Sequence, residues 1–97
     1  MPREILKRPL ARKDLNGIWH YTYEHWGEAQ ADRYLRKLSE AIHQLSEEPQ
    51  GGKDQARIRA DYYSIHVGRH IVFYTFNDQM VGVERVLHDQ MDFGRHL

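Results

Sequence analysis

Cysteine is absent from this 97-residue chain, so neither a disulfide framework nor thiolate chemistry is available to it. No apolar run is long enough to span a membrane, and the first ten residues lack the apolar segment of a signal peptide. Lys and Arg together number 14, as do Asp and Glu, which argues against broad, salt-driven coating of nucleic acid. These absences favour a cytoplasmic protein, and the length favours a single domain over residues 1–97.

The usual sequence signatures of catalytic and metal sites are also missing. There is no glycine-rich phosphate loop, no HExxH and no GxSxG. Seven histidines are present, but His20 and His25 are five residues apart, which turns them to different sides of a helix. We therefore expect no metal site and no cofactor.

What the sequence does contain is a change of hydrophobic period. Apolar residues recur at steps of three and four over residues 11–26 and again over 31–45, with Gly27 between the two sets. This pattern predicts two helices that fold back on each other as a hairpin. Trp19 and Trp26 lie seven residues apart, so the same pattern places both on the core-facing side of the first helix.

Beyond the second helix the apolar residues alternate with period two, which indicates strands. The predicted strands lie within residues 3–8, 61–67, 69–76 and 80–88. In the last of them, simple alternation puts Val81, Val83, Arg85 and Leu87 on one side. The order β, α, α, β, β, β predicts an α+β domain in which the helical hairpin packs on one face of a twisted antiparallel sheet.

Arginine and histidine side chains gather on this predicted sheet. Arg69 and His70 begin the central strand, while Arg85 and His88 lie on the last strand, which pairs with it. Cleavage of RNA needs cations to stabilise a phosphorane and a base for the 2′-hydroxyl, and these residue types supply both. A charged docking surface needs the same residue types, so the residues alone leave the two functions open.

Three motifs resemble the ParE toxins of the RelE/ParE superfamily, which are the toxin halves of bacterial type II toxin–antitoxin pairs. They are DL-x-x-IW-x-Y at residues 14–21, WG-x-x-QA at 26–31 and RVLH-x-x-MD at 85–92. The resemblance covers nearly the whole chain in order and spacing. It implies the same fold that the change of period predicts.

The resemblance implies a non-catalytic toxin that inhibits DNA gyrase and so blocks replication. RelE-like members instead cleave mRNA on the ribosome, and for that alternative the catalytic residues would be His70, Arg85 and His88. The arginine that such nucleases commonly carry at the start of the central strand is one place early here, at Arg69. Phe93, the aromatic candidate in the tail, has no hydroxyl. This incomplete set favours gyrase inhibition; a degenerate, non-toxic member that acts only through antitoxin binding is the third interpretation.

The resemblance also implies partners and contact residues. A ParD-like antitoxin would form a hetero-oligomer with the chain, and the antitoxin, rather than this chain, would bind operator DNA. The candidates for gyrase contact are Arg85, His88, Met91 and Asp92. The candidates for antitoxin contact are Ile18, Tyr21, Trp26, Tyr34 and Leu38, each of which fits the core equally well.

Overall fold

The structure, a computed structural model, describes residues 2–97. Its elements are β1 (Glu4–Lys7), α1 (Pro9–Trp26), α2 (Glu28–Gln44), β2 (Lys53–Asp54), β3 (Tyr63–Val67), β4 (His70–Phe76), β5 (Met80–His88) and α3 (Phe93–His96). The strands form one five-stranded sheet in the order β1-β5-β4-β3-β2. Both long helices pack on the same face of this sheet. The predicted α+β class and the helical hairpin on one face are therefore confirmed.

The two long helices begin and end where the local sequence dictates. Pro9 occupies the first position of α1, where its missing N–H costs no hydrogen bond. Gly27 separates α1 from α2 with a φ of 88°, a conformation that glycine adopts without steric penalty. Because only one residue joins the helices, they fold back on each other. No helix within residues 2–97 is long and apolar enough to cross a membrane.

The core lies between the helical hairpin and one face of the sheet. Its buried residues are Ala11, Ile18, Leu38, Ile42, Val67, Val72, Val83 and Val86. Leu38, Val72 and Val83 are fully buried. Each such side chain stabilises the fold by about 1.5–3 kcal/mol relative to an exposed one.

The sheet is antiparallel except at one edge. β1 runs parallel to β5, with Ile5 opposite Val81 and Lys7 opposite Val83. The prediction of a wholly antiparallel sheet was wrong for this strand. Alternation with period two identifies which residues share a face, but it carries no information on strand direction. A parallel pair needs a long crossover connection, and the chain between β1 and β5 supplies one that contains both helices.

A β-bulge interrupts β5 at Glu84. Phe73 of β4 lies opposite Arg85 and Tyr74 lies opposite Val83, so Glu84 has no partner across the pair. The extra residue reverses the faces beyond it, because side chains alternate with period two. Val83 faces the helices, whereas Arg85 lies on the opposite face with Phe73. The prediction that Arg85 and Leu87 share a face with Val83 was therefore wrong.

The C-terminal segment folds back across the face of the sheet that the long helices leave open. Phe93 of α3 packs edge-on against Phe73 with a ring-centroid distance of 5.0 Å, and Phe73 is fully buried. At the end of the chain, Arg59 Nη1 donates a hydrogen bond of 3.0 Å to Leu97 O. The tail is thus a third layer of the fold.

Trp26 lies outside the core. Its side chain is 65% exposed, and every residue from 23 to 30 is exposed except Gly27, which is half-buried. Trp19 is half-buried, and its indole N–H donates to Asp32 Oδ1 at 3.0 Å. The apolar stripe of α1 continues past Thr22, the last residue that it buries. Periodicity alone did not reveal where the hairpin leaves the core, so the prediction for Trp26 was wrong.

Candidate functional site

Arg85 is held by an acidic residue from the first helix. Its Nε donates to Asp14 Oδ2 at 2.8 Å and its Nη2 donates to Asp14 Oδ1 at 2.9 Å, which makes a two-bond ion pair. Asp14 Oδ2 also accepts the Val86 N–H at 2.9 Å, and Arg85 Nη1 donates to His96 O at 2.8 Å. The hydrogen bond to Asp14 raises the pKa of Arg85 above its usual range. The guanidinium is charged, but its Nε, Nη1 and Nη2 atoms all donate hydrogen bonds within the protein.

His70 and His88 lie opposite each other at the paired ends of β4 and β5. Their rings meet edge to face with a centroid distance of 5.4 Å. The hydroxyl of Tyr34, on α2, lies 2.6 Å from His70 Nδ1 and accepts the Arg69 N–H at 3.1 Å. Burial, and then the proximity of His88, lowers the pKa of His70 to about 4. His70 is therefore neutral near pH 7, and burial raises the pKa of Tyr34.

His88 forms the outer side of this pair and is partly open to solvent. Its side chain is 40% exposed, and its Nδ1 accepts the Gln90 N–H at 3.1 Å. Asp89 lies between two histidines, with Oδ1 3.4 Å from His88 Nδ1 and Oδ2 3.2 Å from His66 Nε2. The Arg69 side chain is exposed, and its carbonyl accepts the Asp89 N–H at 2.9 Å.

The three residues that a ribonuclease would use do not share a face of the sheet. His70 and His88 continue the row of Val72 and Val86, which faces the helices, whereas Arg85 lies on the opposite face. A phosphorane needs its cation and its base within reach of one phosphate. Arg85 and His88 are three residues apart on one regularly paired stretch of β5, and alternation with period two puts residues at that spacing on opposite faces.

The remaining gyrase-contact candidates lie in the tail. Met91 is 37% exposed, and Asp92 is exposed while its Oδ1 accepts the Gly94 N–H at 3.2 Å at the start of α3. The His88 ring, three residues before Met91, is also partly exposed to solvent. Arg85, in contrast, is largely covered by Asp14 and by the tail. Three of the four candidates therefore offer surface to a partner.

The antitoxin-contact candidates fall into three groups by exposure. Leu38 is fully buried and Ile18 is only 9% exposed, so neither offers surface to a partner. Tyr34 is half-buried against His70. Tyr21 and Trp26 are 57% and 65% exposed and remain available.

A groove that the sequence did not indicate runs between the edge strand and the helices. It encloses about 730 Å³. Its lining residues include Ile5, Leu6, Arg12, Glu40, Ile42 and His43. Strand β1 forms one wall and is the last strand of the sheet on this side. Finding it required the parallel pairing of β1, which local sequence does not encode.

A second feature is an aromatic surface at the turn between the long helices, here called the hairpin tip and defined as residues 19–30. Tyr21 stacks on His25 at 3.9 Å between centroids, and Trp19 stacks on Tyr23 at 5.2 Å. The ring centroid of Trp26 lies 6.2 Å from that of Tyr21. Among the exposed large hydrophobic residues of the described chain, Trp26 has the greatest exposed fraction. Among residues 2–97, no group of three or more His, Asp or Glu side chains is arranged to hold a metal ion.

Comparison with known families identifies one match over most of the chain. The family described as "ParE toxin of type II toxin-antitoxin system, parDE" matches residues 5–93. The protein named toxin ParE1 of Mycobacterium tuberculosis is 38% identical over 98 residues, which covers all of both chains.

Solved structures show the same fold in toxin–antitoxin complexes. A chain of the chromosomal ParDE system from P. aeruginosa superimposes with a TM-score of 0.78 at 11% identity, covering 89% of this chain and 95% of that one. A chain of the RelBE2 toxin–antitoxin complex from Mycobacterium tuberculosis superimposes with a TM-score of 0.69 at 27% identity, covering 91% and 99%. The first of these likenesses concerns the fold alone.

Proposed function

Because the chain belongs to the ParE family of toxins of type II toxin–antitoxin systems, we propose that it inhibits DNA gyrase and is neutralised by a ParD-like antitoxin. Its action would then block replication in the cytoplasm, where gyrase works. The proposal is supported first by the family match over residues 5–93. It is supported further by the geometry of the cationic residues on the sheet.

The observation that carries the non-catalytic part of the proposal is the ion pair of Arg85 with Asp14. Three N–H donors of the guanidinium are engaged by Asp14 and the His96 carbonyl, so no phosphate can reach them without breaking these bonds. His70 is neutral near pH 7 and supplies no charge. An inhibitor that acts by binding needs neither group to be free.

A ribosome-dependent mRNA endonuclease is the second candidate, and one observation favours it. His70 and His88 are in edge contact, and the Tyr34 hydroxyl lies 2.6 Å from His70 Nδ1. Two adjacent imidazoles can exchange roles as general base and general acid. For this candidate, His88→Ala would abolish cleavage of ribosome-bound mRNA, and the wild-type chain would cleave without gyrase being present.

We assign the gyrase contact to the exposed part of the tail, with Met91, Asp92 and the open side of His88 as its members. Truncating the chain after Leu87 is a poor test, because it would uncover the buried ring of Phe73. A point substitution at an exposed residue preserves the third layer. Met91→Glu is the sharper variant, and Leu10→Glu, at a residue that is 55% exposed on α1, is its control.

The antitoxin would occupy the groove beside β1. An amphipathic segment can lay apolar side chains against Ile5, Leu6 and Ile42 and pair its backbone with the free edge of the strand. Such a segment folds on binding and buries a large area. Leu6→Arg is expected to weaken the toxin–antitoxin complex, whereas Ile58→Arg, also at an exposed apolar residue, is expected to leave it intact.

The decisive experiment is a supercoiling assay with purified gyrase, relaxed plasmid, ATP and the chain freed from its antitoxin. We expect loss of supercoiling with trapped, cleaved plasmid, full activity after antitoxin is added back, and weaker inhibition by Met91→Glu than by Leu10→Glu. Full supercoiling at a large excess of folded toxin would reject gyrase as the target. Cleavage of mRNA on ribosomes by the same preparation would then establish the second candidate.

A further inference from the structure

The hairpin tip exposes three large aromatic side chains to solvent. Trp26, Tyr21 and Tyr23 are 65%, 57% and 47% exposed, and they lie within six residues of one helix. Tyr21, His25 and Trp26 form one group of ring contacts, whereas Tyr23 stacks separately on Trp19. Scattered single apolar residues on a surface are ordinary, but a contiguous aromatic patch such as the first group is typical of an interaction site. Exposed Trp and Tyr are also the residues that most often dominate binding energy.

The geometry of the tip holds its rings ready for a partner. The His25 ring stacks on Tyr21, and His25 Nδ1 lies 2.8 Å from the Tyr21 carbonyl oxygen, which fixes the imidazole against the helix. Trp19 is anchored by its hydrogen bond to Asp32 and stacks on Tyr23. Side chains that are already ordered lose little conformational entropy on binding.

The charge of the tip has one sign in a chain that is neutral overall. The tip contains Glu24 and Glu28, Asp32 lies just beyond it, and no Lys or Arg occurs anywhere in residues 15–32. The first cation beyond them is Arg33, whose Nη2 donates to Gln30 Oε1 at 2.8 Å. An aromatic surface bordered by carboxylates repels phosphates and attracts cations, which disfavours nucleic acid as the occupant.

We propose that the hairpin tip binds an arginine-bearing segment of a partner polypeptide. A guanidinium can lie over the open face of Trp26 or Tyr21 while its N–H groups reach Glu24 or Glu28, which combines a cation–π contact with an ion pair. Arginine suits this surface better than lysine, because its planar group stacks on aromatic rings and is weakly hydrated.

Tyr21 and Trp26 were candidates for antitoxin contact from the sequence, but they do not line the groove to which the antitoxin is assigned, nor do they lie in the tail assigned to gyrase. Trp26 lies 14 residues along α1 from Arg12, which lines the groove beside β1, a distance of about 21 Å at 1.5 Å per residue. The tail that carries Met91 packs on the opposite face of the sheet from the hairpin. The inference therefore goes beyond the proposed function and does not depend on gyrase being the target.

The test uses three dye-labelled synthetic peptides of equal length and fluorescence anisotropy with the full chain. The first peptide carries two arginines and two leucines, and the others replace both arginines by lysine or by glutamate. We expect the arginine peptide to bind most tightly, the lysine peptide more weakly and the glutamate peptide not at all. Raising the salt concentration to about 1 M should weaken the binding of the arginine peptide, because exposed ion pairs are then screened.

Matched variants locate the binding site. Trp26→Ala is expected to lower the affinity for the arginine peptide at least about tenfold, as is common when a central aromatic contact is removed. Glu24→Gln with Glu28→Gln should remove most of the preference for arginine over glutamate. Leu10→Ala changes an exposed apolar residue at the other end of α1 and should have no effect. Because all these side chains are exposed, circular dichroism should show unchanged folding, and comparable melting curves will establish it.

Several results would overturn the inference. Equal binding of the arginine and glutamate peptides would remove the role of charge, and unchanged affinity in Trp26→Ala would remove the role of the tip. Self-association of the wild-type chain that Trp26→Ala abolishes would identify a second copy as the occupant. Tighter binding of a labelled RNA oligonucleotide than of the arginine peptide, also lost in Trp26→Ala, would identify nucleic acid instead.

Discussion

Replacing Asp14 by alanine should be among the most destabilising single changes in the molecule. It removes both charge-assisted hydrogen bonds to Arg85 and leaves the Val86 N–H without its acceptor. Breaking a fully buried ion pair costs about 3–5 kcal/mol, and the low end applies because the Asp14 and Arg85 side chains remain 14% and 17% exposed. We therefore expect Asp14→Ala to lower the free energy of unfolding by about 3 kcal/mol.

The measurement is equilibrium unfolding in urea, followed by circular dichroism. For a domain of this size, about 3 kcal/mol corresponds to a fall in Tm of roughly 12–24 °C. Asp14→Asn keeps one acceptor oxygen for the Val86 N–H but loses the charge and the second acceptor, and its amide NH2 would face an N–H donor of Arg85. It should therefore cost less than Asp14→Ala, about 2 kcal/mol.

A double-mutant cycle separates the ion pair from the other contacts of each residue. Arg85→Met alone leaves the Asp14 carboxylate without its cation, so the double variant Asp14→Ala with Arg85→Met should lose at least about 1 kcal/mol less than the sum of the two single losses. Additivity within about 0.5 kcal/mol, or a loss below about 1 kcal/mol for Asp14→Ala, would refute the reasoning.

Three further predictions concern stability. Gly68→Ala should cost at least about 1–2 kcal/mol, because Gly68 has a φ of +59° and an added Cβ would lie 2.8 Å from the Tyr34 ring, whereas Gly51→Ala meets nothing within 4 Å and should be nearly neutral in thermal melts. The pKa of His70 is about 4 in the folded chain against 6.5 for an unperturbed histidine, so the unfolded chain binds the extra proton first as the pH falls. The contribution of His70 to stability should therefore be full above pH 6.5 and be lost progressively down to pH 4. We expect a loss of about 1–2 kcal/mol, less than the whole pKa shift would give because the half-buried ring is screened by solvent, and urea titrations of His70→Leu should show a weaker decline over that range. Phe93→Ala should cost about 1–2 kcal/mol by loss of its aromatic contact and increase hydrogen exchange at the tail; no change in exchange there would contradict the packing of α3.

Local rules predicted most of the fold. Steps of three and four identified both long helices, and alternation identified β3, β4 and β5 to within two residues. The two errors in the sheet have a common cause. The parallel pairing of β1 and the bulge at Glu84 depend on how distant strands meet, and a single strand's pattern does not contain that information.

The site was less predictable than the fold. The motifs that resemble ParE toxins led to the family, which the family match confirms. They did not show that Arg85 is paired with Asp14, because the two residues are 71 positions apart and nothing local links them. Trp26 was assigned to the core because periodicity specifies one face of a helix but not the residue beyond which that face is no longer covered by other elements.

The single extra residue in β5 has an evolutionary consequence. Glu84 stands between two residues that already occupy opposite faces, so deleting it would join Val83 directly to Arg85 in a regular strand and leave every other side chain of β5 on its present face. A relative that lacks this one residue would therefore keep the same core and the same pairing of Arg85 with Asp14, and would lose only the contacts that Glu84 makes with Arg8 and Thr75. At this point of the fold, the gain or loss of a single codon can pass without exchanging the two faces of the sheet.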